Sequence, residues 1–189
     1  MLESLKLALA PALLSVLQFM FSGISGTTPW FDNVSLETIG NDLVCSAHVM
    51  DAFTEDFDKL IQIGDTLTVT IQVDVVDVET NEVVETKLFI HRIQFSLLEK
   101  RYDVFTSEKN RSVQRKELKQ AKQYWMSLYR GHLIRLSKLE ANRYYYLSFS
   151  ATLEDIELPG MTNKLNMMQF WNRAKPEFKT ENFMISKFS

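Results

Sequence analysis

One stretch of the chain constrains the fold more than any other, because apolar and polar side chains alternate strictly along it. The apolar members are Leu67, Val69, Ile71, Val73 and Val75, and the polar members between them are Thr68, Thr70, Gln72 and Asp74. Successive side chains of a strand point to opposite faces, so this pattern predicts a strand with one buried and one wet face. A wet face favours an antiparallel sheet.

Similar patterns run through the rest of the chain. We expect further strands at 34–39, 43–50, 83–98, 102–105, 133–136, 144–153 and 183–185, with a tight turn at Gly40 and Asn41. Helical spacing predicts helices at 52–63, capped by Asp51 and ended by Gly64, and at 113–130, ended by Gly131, with a short helical stretch at 165–171. The predicted class is α+β and β-rich: an antiparallel sheet or sandwich of about seven or eight strands with two helices.

The N-terminus predicts where the protein works. No charge occurs from Leu7 to Phe21, and small residues follow at Ser22, Gly23, Ser25 and Gly26. Such a run is typical of a signal peptide, or of an N-terminal membrane anchor if it is long enough to span a bilayer. We therefore expect residues 1–25 to be one of these two, followed by a single β-rich domain at 26–189. The protein would be exported, either periplasmic or anchored to the inner membrane.

Composition and motifs give little support for chemistry. The net charge of −3 argues against a nucleic-acid partner. Cys45 lies on the apolar side of its strand, where it faces away from His48, so the two are not expected to form a dyad. His91 shares the apolar face of its strand and is expected to be a hydrogen-bonded core residue. The sequence predicts no catalytic residue, no metal site and no cofactor.

Charge is unevenly distributed along the chain. Residues 31–85 carry 13 acidic side chains against the single basic residue Lys59, whereas residues 109–143 carry 10 basic side chains against Glu117 and Glu140. Three interpretations stay open: the two segments pair across the fold, they simply face water, or the basic segment binds an acidic partner.

Two surfaces are candidates for binding a partner. The predicted second helix carries Arg115, Lys116, Lys119 and Lys122, with Trp125, Leu128 and Tyr129 as apolar anchors. A basic amphipathic helix binds an anionic membrane surface or an acidic protein, here an envelope or membrane protein. Tyr144 and Tyr146 point away from the core face of their strand. They either bind a partner or are covered by the second helix, and we expect the helix to cover them.

Several apolar and turn positions resemble a family of exported bacterial proteins known only as a domain of unknown function. The resemblance spans about residues 31–186 and rests on Phe53, Leu60, Ile61, Gly64, Phe89, Ile93, Tyr102, Asp103, Val104, Tyr144, Tyr145, Leu147, Leu158, Pro159, Trp171 and Ser186. It implies no catalytic residues. Through the genes that often neighbour the family, it implies a role accessory to a membrane sensor kinase of the nitrogen-regulation type.

We expect a non-catalytic binding or interaction module. The alternative is a carrier of an apolar or lipid-like ligand in a β-rich cavity, because the chain contains 13 Phe residues. An enzyme with an unrecognised site comes third. The sequence identifies no small-molecule ligand.

Overall fold

The chain folds into two antiparallel sheets that share one hydrophobic core. A computed structural model describes residues 25–158 and 163–185, and within them the chain forms nine strands and two α-helices. The predicted β-rich class is confirmed. In chain order the elements are β1 Trp30–Ile39, β2 Asp42–Met50, α1 Glu55–Gln62, β3 Leu67–Asp77, β4 Val83–Ser96, β5 Arg101–Thr106, β6 Arg111–Arg115, α2 Leu118–Trp125, β7 Ser127–Arg135, β8 Tyr145–Leu153 and β9 Glu177–Lys179, with short 3₁₀ helices at Leu136–Lys138 and Met167–Trp171.

The most regularly alternating strand, β3, lies at the centre of the larger of the two sheets. The small sheet has the order β1-β2-β7, and the large sheet has the order β6-β5-β4-β3-β8-β9. Strand β3 pairs with β4 on one side and β8 on the other, and all five of its predicted inward side chains are at most 1% exposed. The alternation that predicted a half-buried strand therefore marks the centre of the large sheet.

Helix α1 begins later than predicted. Thr54 caps it, because the backbone N–H of Phe57 donates to Thr54 Oγ1 over 3.2 Å. The prediction that Asp51 caps the helix is wrong: Asp51 has a positive φ of 51° and lies before the first turn. Gly64 follows the helix with a φ of 97°, as expected of a residue that ends a helix in the left-handed region.

The predicted helix at 113–130 is wrong at both ends. Residues 111–115 form edge strand β6, in which Val113 pairs with Val104, and β7 begins at Ser127. Only 118–125 is helical. Gly131 lies inside β7, where a Cβ would come within 2.7 Å of the Phe89 ring, so it permits close packing of β7 on β4 rather than ending a helix.

The C-terminal part differs in detail from the prediction. Phe183 makes a single bridge to Tyr145, and the strand that closes the large sheet is β9, which the sequence pattern did not predict. The prediction of a signal peptide or anchor at 1–25 falls almost wholly outside the described residues. Among the described residues, no helix is both long enough and apolar enough to cross a membrane.

Candidate interaction surface

The acidic and basic segments of the chain meet across the fold. In the described part of the chain, four ion pairs and one histidine–carboxylate contact join residues 31–85 to residues 109–143. They are Lys122–Asp58 at 2.6 Å, Arg143–Asp77 at 2.9 Å, His132–Asp42 at 3.1 Å, Arg130–Glu37 at 3.2 Å and Lys138–Glu85 at 3.7 Å. Pairing across the fold is therefore the correct interpretation for part of the basic segment.

Asp77 shows how closely one of these pairs is built into the structure. Its carboxylate accepts from the Arg143 guanidinium and from the backbone N–H groups of Thr80 and Glu79. The Arg143 hydrogen bond, helped by the backbone donors, holds the pKa of Asp77 below its usual value. This charge is part of the turn after β3 and is not free to bind a partner.

Five of the six other basic side chains of residues 109–143 lie at one margin of the large sheet, and the sixth, Arg135, lies at the end of β7. Lys109, Arg111, Arg115, Lys116 and Lys119 form no ion pair with any described residue, and we call them the basic edge. Lys109 lies in the turn before β6, and Arg111 and Arg115 lie on this edge strand. Lys116 lies in the connection to α2, and Lys119 lies at the start of α2. Two acids adjoin these residues in sequence: Glu108 is buried and pairs with His91, and Glu117 is exposed and accepts from the Gln120 amide.

Two tyrosines hold part of the basic edge in place without neutralising it. Lys109 Nζ lies 5.0 Å from the centre of the Tyr124 ring and 4.7 Å from that of Tyr129, and the Arg115 guanidinium carbon lies 5.3 Å from the Tyr124 ring. A cation over an aromatic face is attracted by the ring quadrupole but keeps its full charge. These contacts orient two cations and leave both available to an anion.

The four basic residues predicted for partner binding do not share one helix face. Arg115 ends β6, Lys116 lies in the connection, and Lys119 and Lys122 lie on α2. Lys122 is paired with Asp58 and also lies 4.7 Å from the centre of the Phe53 ring, so the fold already uses its charge. The sequence prediction does not include Lys109 and Arg111 among the binding residues, because both precede the predicted helix at 113–130.

The apolar side of α2 is not exposed. Ala121 and Trp125 are both 0% exposed, and Leu128 on β7 is 2% exposed. The Trp125 ring N–H donates to the His91 carbonyl over 3.0 Å. Two of the predicted apolar anchors therefore belong to the core, and only Tyr129, at 51%, is well exposed.

The prediction that the second helix covers Tyr144 and Tyr146 is wrong. Helix α2 packs on β4, β5 and β6 from the core side, whereas Tyr146 points away from the core, since its neighbour Tyr145 is buried. The Tyr146 hydroxyl donates to Asn81 Oδ1, and Lys179 lies over its ring. Tyr144 precedes β8 and is 50% exposed.

A surface groove of about 310 Å³ lies beside α2 and contains His48, Phe53, Lys119 and Lys122. His48 Nδ1 is 2.7 Å from Ser127 Oγ, which in turn donates to the Gln123 carbonyl over 2.6 Å. Because that carbonyl can only accept, His48 Nδ1 donates to the serine and does not take its proton. Burial lowers the pKa of His48, although the Asp32 charge opposes the shift.

His91 is a buried, hydrogen-bonded core residue, as predicted, but its partner was not foreseen. Its Nδ1 is 2.7 Å from the Trp125 carbonyl, and its Nε2 is 2.9 Å from Glu108 Oε2, with the two side chains 0% and 1% exposed. Burial alone would raise the pKa of Glu108, but the hydrogen bond and charge of His91 outweigh it and the pKa is lowered. The core thus contains a His–Glu pair.

Cys45 is 1% exposed, in agreement with the predicted core position, and burial together with the Glu108 charge raises the pKa of its thiol to about 12. A thiol with this pKa is inert at neutral pH. Among the described residues, no three His, Cys, Asp or Glu side chains come together in a way that could hold a metal ion.

The fold and this surface define a class: a β-rich protein of two antiparallel sheets whose large sheet has one basic edge strand. Residues 27–180 match the model of the family described as Domain of unknown function (DUF4390), and the chain belongs to that family. The family resemblance is therefore confirmed. No curated protein and no solved structure matches the chain.

Proposed function

We propose that the protein is a non-catalytic, exported binding module that docks an acidic envelope protein on the basic edge. The observation that carries this proposal is a set of basic side chains that pair with no described carboxylate, beside an edge strand that no described strand covers. The same fold neutralises Lys122, Arg130, Lys138 and Arg143 with its own carboxylates. An acidic partner would supply the counter-charges that the basic edge lacks.

An acidic protein suits this surface better than an anionic membrane. Helices that lie on membranes insert an apolar face beside their basic residues. Helix α2 has no such face to offer, because Ala121 and Trp125 are packed in the core. The basic edge can attract a bilayer through charge alone, but it lacks the apolar area that would hold it there.

The carrier alternative has less support in the described residues. Phe57 packs against Phe170, with ring centres 5.0 Å apart, and against Phe53 at 5.3 Å, while Phe31 packs against Phe149 at 5.6 Å. These phenylalanines contact one another in the core. The groove volumes of about 310 to 380 Å³ belong to surface grooves.

The test is in-cell crosslinking of the full chain, followed by identification of the captured protein and binding measurements with that protein once purified. The edge variant is Arg111→Glu/Lys116→Glu/Lys119→Glu. The matched control is Arg135→Glu/Arg173→Glu/Lys175→Glu, which changes the net charge equally at exposed positions elsewhere. We expect the wild type and the control to bind one acidic envelope protein with similar affinity. The edge variant should bind it about tenfold more weakly, or weaker still.

Equal binding by the edge variant and the control variant would overturn the proposal. So would retention of the wild type on phosphatidylglycerol vesicles with no protein captured, because the partner would then be the membrane surface. Circular dichroism and thermal unfolding of both triple variants establish that any loss is not a loss of folding.

A further inference from the structure

Within the described residues, β6 is the terminal strand of the large sheet, so the backbone groups on its outer side lack a strand partner. The neighbouring strand fixes which residues these are. The backbone N–H of Ser107 donates to the Ile90 carbonyl, so Ser107 faces β4. Backbone direction alternates along a strand, and the residues of β5 that face β6 are therefore Tyr102, Val104 and Thr106.

Those three residues pair with Arg115, Val113 and Arg111, which thus direct their backbone groups to β5. The backbone N–H and C=O groups of Ser112 and Gln114 then point away from the sheet. A second observation agrees: the Arg115 guanidinium reaches around the strand and donates to the Gln114 carbonyl over 2.9 Å. That carbonyl is accessible from the open side.

The side chains along this edge also follow a pattern. Arg111, Val113 and Arg115 share one face of β6, because they are two residues apart. This is the side on which α2 lies, since Arg115 stacks over Tyr124 of α2. A strand added beside β6 would meet, on that face, an apolar residue between two cations.

We propose that an extended acidic segment of the partner adds to β6 as a seventh strand of the large sheet, with acidic side chains two residues before and two residues after an apolar one. The inference deepens the proposed function and rests on it. Strand addition gives affinity through the main-chain bonds of Ser112 and Gln114, and alternate side chains give selectivity.

The same features explain why an arbitrary strand would not add. Charged side chains on edge strands normally prevent edge-to-edge pairing, and Arg115 here occupies one of the open carbonyls itself. A neutral strand that displaced the guanidinium would leave a cation without its acceptor. A carboxylate opposite Arg115 on the added strand accepts the hydrogen bond of the guanidinium instead. The Gln114 carbonyl is then free to accept from the added strand.

The test uses a blocked seven-residue peptide, Thr-Glu-Thr-Val-Thr-Glu-Thr, and the full chain. Its third and fifth residues would bond the open edge, so N-methylation of both removes these bonds, whereas N-methylation of the fourth residue touches only the far side. The readouts are fluorescence anisotropy and hydrogen exchange of individual amides. The amides of Ser112 and Gln114 report the open side, and the amide of Val113, already bonded to β5, is the internal control.

We expect the peptide to slow exchange at Ser112 and Gln114 by about tenfold or more and to leave Val113 unchanged. Double N-methylation at the third and fifth residues should weaken binding by a similar factor, and the single methylation should not. Gln114→Pro, which removes an outward N–H without breaking a bond to β5, should also weaken binding, by less than the double methylation because one bond is lost instead of two, while the fold is kept.

Equal binding of both methylated peptides, or unchanged exchange at Ser112 and Gln114 on saturation, would overturn strand addition. In that event the crosslinking result with the edge variant still decides the proposed function separately. If the full chain captures an acidic protein through the basic edge but binds this peptide no better than its scrambled form, strand addition is wrong and the binding module stands.

Discussion

The turn between β5 and β6 places two adjacent charged residues in opposite settings. Glu108 points into the core and pairs with His91, whereas Lys109 points outward and rests on the rings of Tyr124 and Tyr129. A charged side chain in the core needs a partner, because burying an isolated charge costs too much free energy of desolvation. At the edge the solvent tolerates an unpaired charge, so a cation there can be kept for a partner outside the fold.

Removal of Glu108 should have the largest effect on stability. In Glu108→Ala the ring nitrogen of His91 loses its partner in a site that is 0% exposed. We expect a loss of about 3–5 kcal/mol in the free energy of unfolding, measured by urea denaturation. Glu108→Gln should cost less, because the amide can donate to the Nε2 atom of a neutral His91.

Glu117→Ala is the control for that prediction, since Glu117 is exposed and lies at the start of α2. Its substitution should change stability by no more than about 0.5 kcal/mol. Comparable losses of unfolding free energy in Glu108→Ala and Glu117→Ala would contradict this prediction, because the buried pair would then contribute no more to stability than an exposed residue of the edge.

The same pair predicts how stability depends on pH. The pKa of Glu108 is lowered from 4.5 in the folded protein, so its contribution is fully present above pH 4.5 and is lost as the pH falls through the lowered value. We therefore expect the difference in stability between the wild type and Glu108→Gln to narrow as the pH falls below 4.5. Asp77 and Glu85, whose pKa values are also lowered, titrate in both proteins and cancel in this difference.

Urea unfolding of the two proteins at pH 3, 4, 5 and 7 measures this prediction. A difference that stays constant down to pH 3, or grows, would show that Glu108 does not enter the fold as the ionised partner of His91.

Most of the fold could be predicted because local periodicity and burial agree in the central strands. Strand β3 alternates without exception from Leu67 to Val75, and its inward side chains are all buried. The second helix was predicted too long for the opposite reason. Strand β6 has one apolar residue, Val113, and β7 is interrupted by Arg130 with a positive φ of 52°, so neither strand shows a regular period of two.

The candidate surface could be predicted only in part. The excess of basic charge is visible in the sequence, but which cations remain unpaired depends on contacts between distant segments, such as Lys122 with Asp58 and Arg130 with Glu37. Glu108 gives no signal at all. It lies in a polar turn between two strands, where an acidic residue is normally solvated, and its burial accompanies a contact with His91 of β4, 17 residues away.

The smallest predicted effect on stability distinguishes a paired from an unpaired lysine on the same helix. Lys122 and Lys119 lie one turn apart on α2, but among the described residues only Lys122 has a carboxylate partner. In its pair with Asp58, the two side chains are 19% and 30% exposed. Lys122→Met should cost about 0.5–1 kcal/mol, and a double-mutant cycle with Asp58→Asn should recover a coupling of that size, reduced at high salt. Lys119→Met should leave stability unchanged within about 0.3 kcal/mol, while it weakens partner binding. If Lys119→Met instead destabilised the fold as much as Lys122→Met does, Lys119 would belong to the folded framework, and the basic edge would lose one of its members.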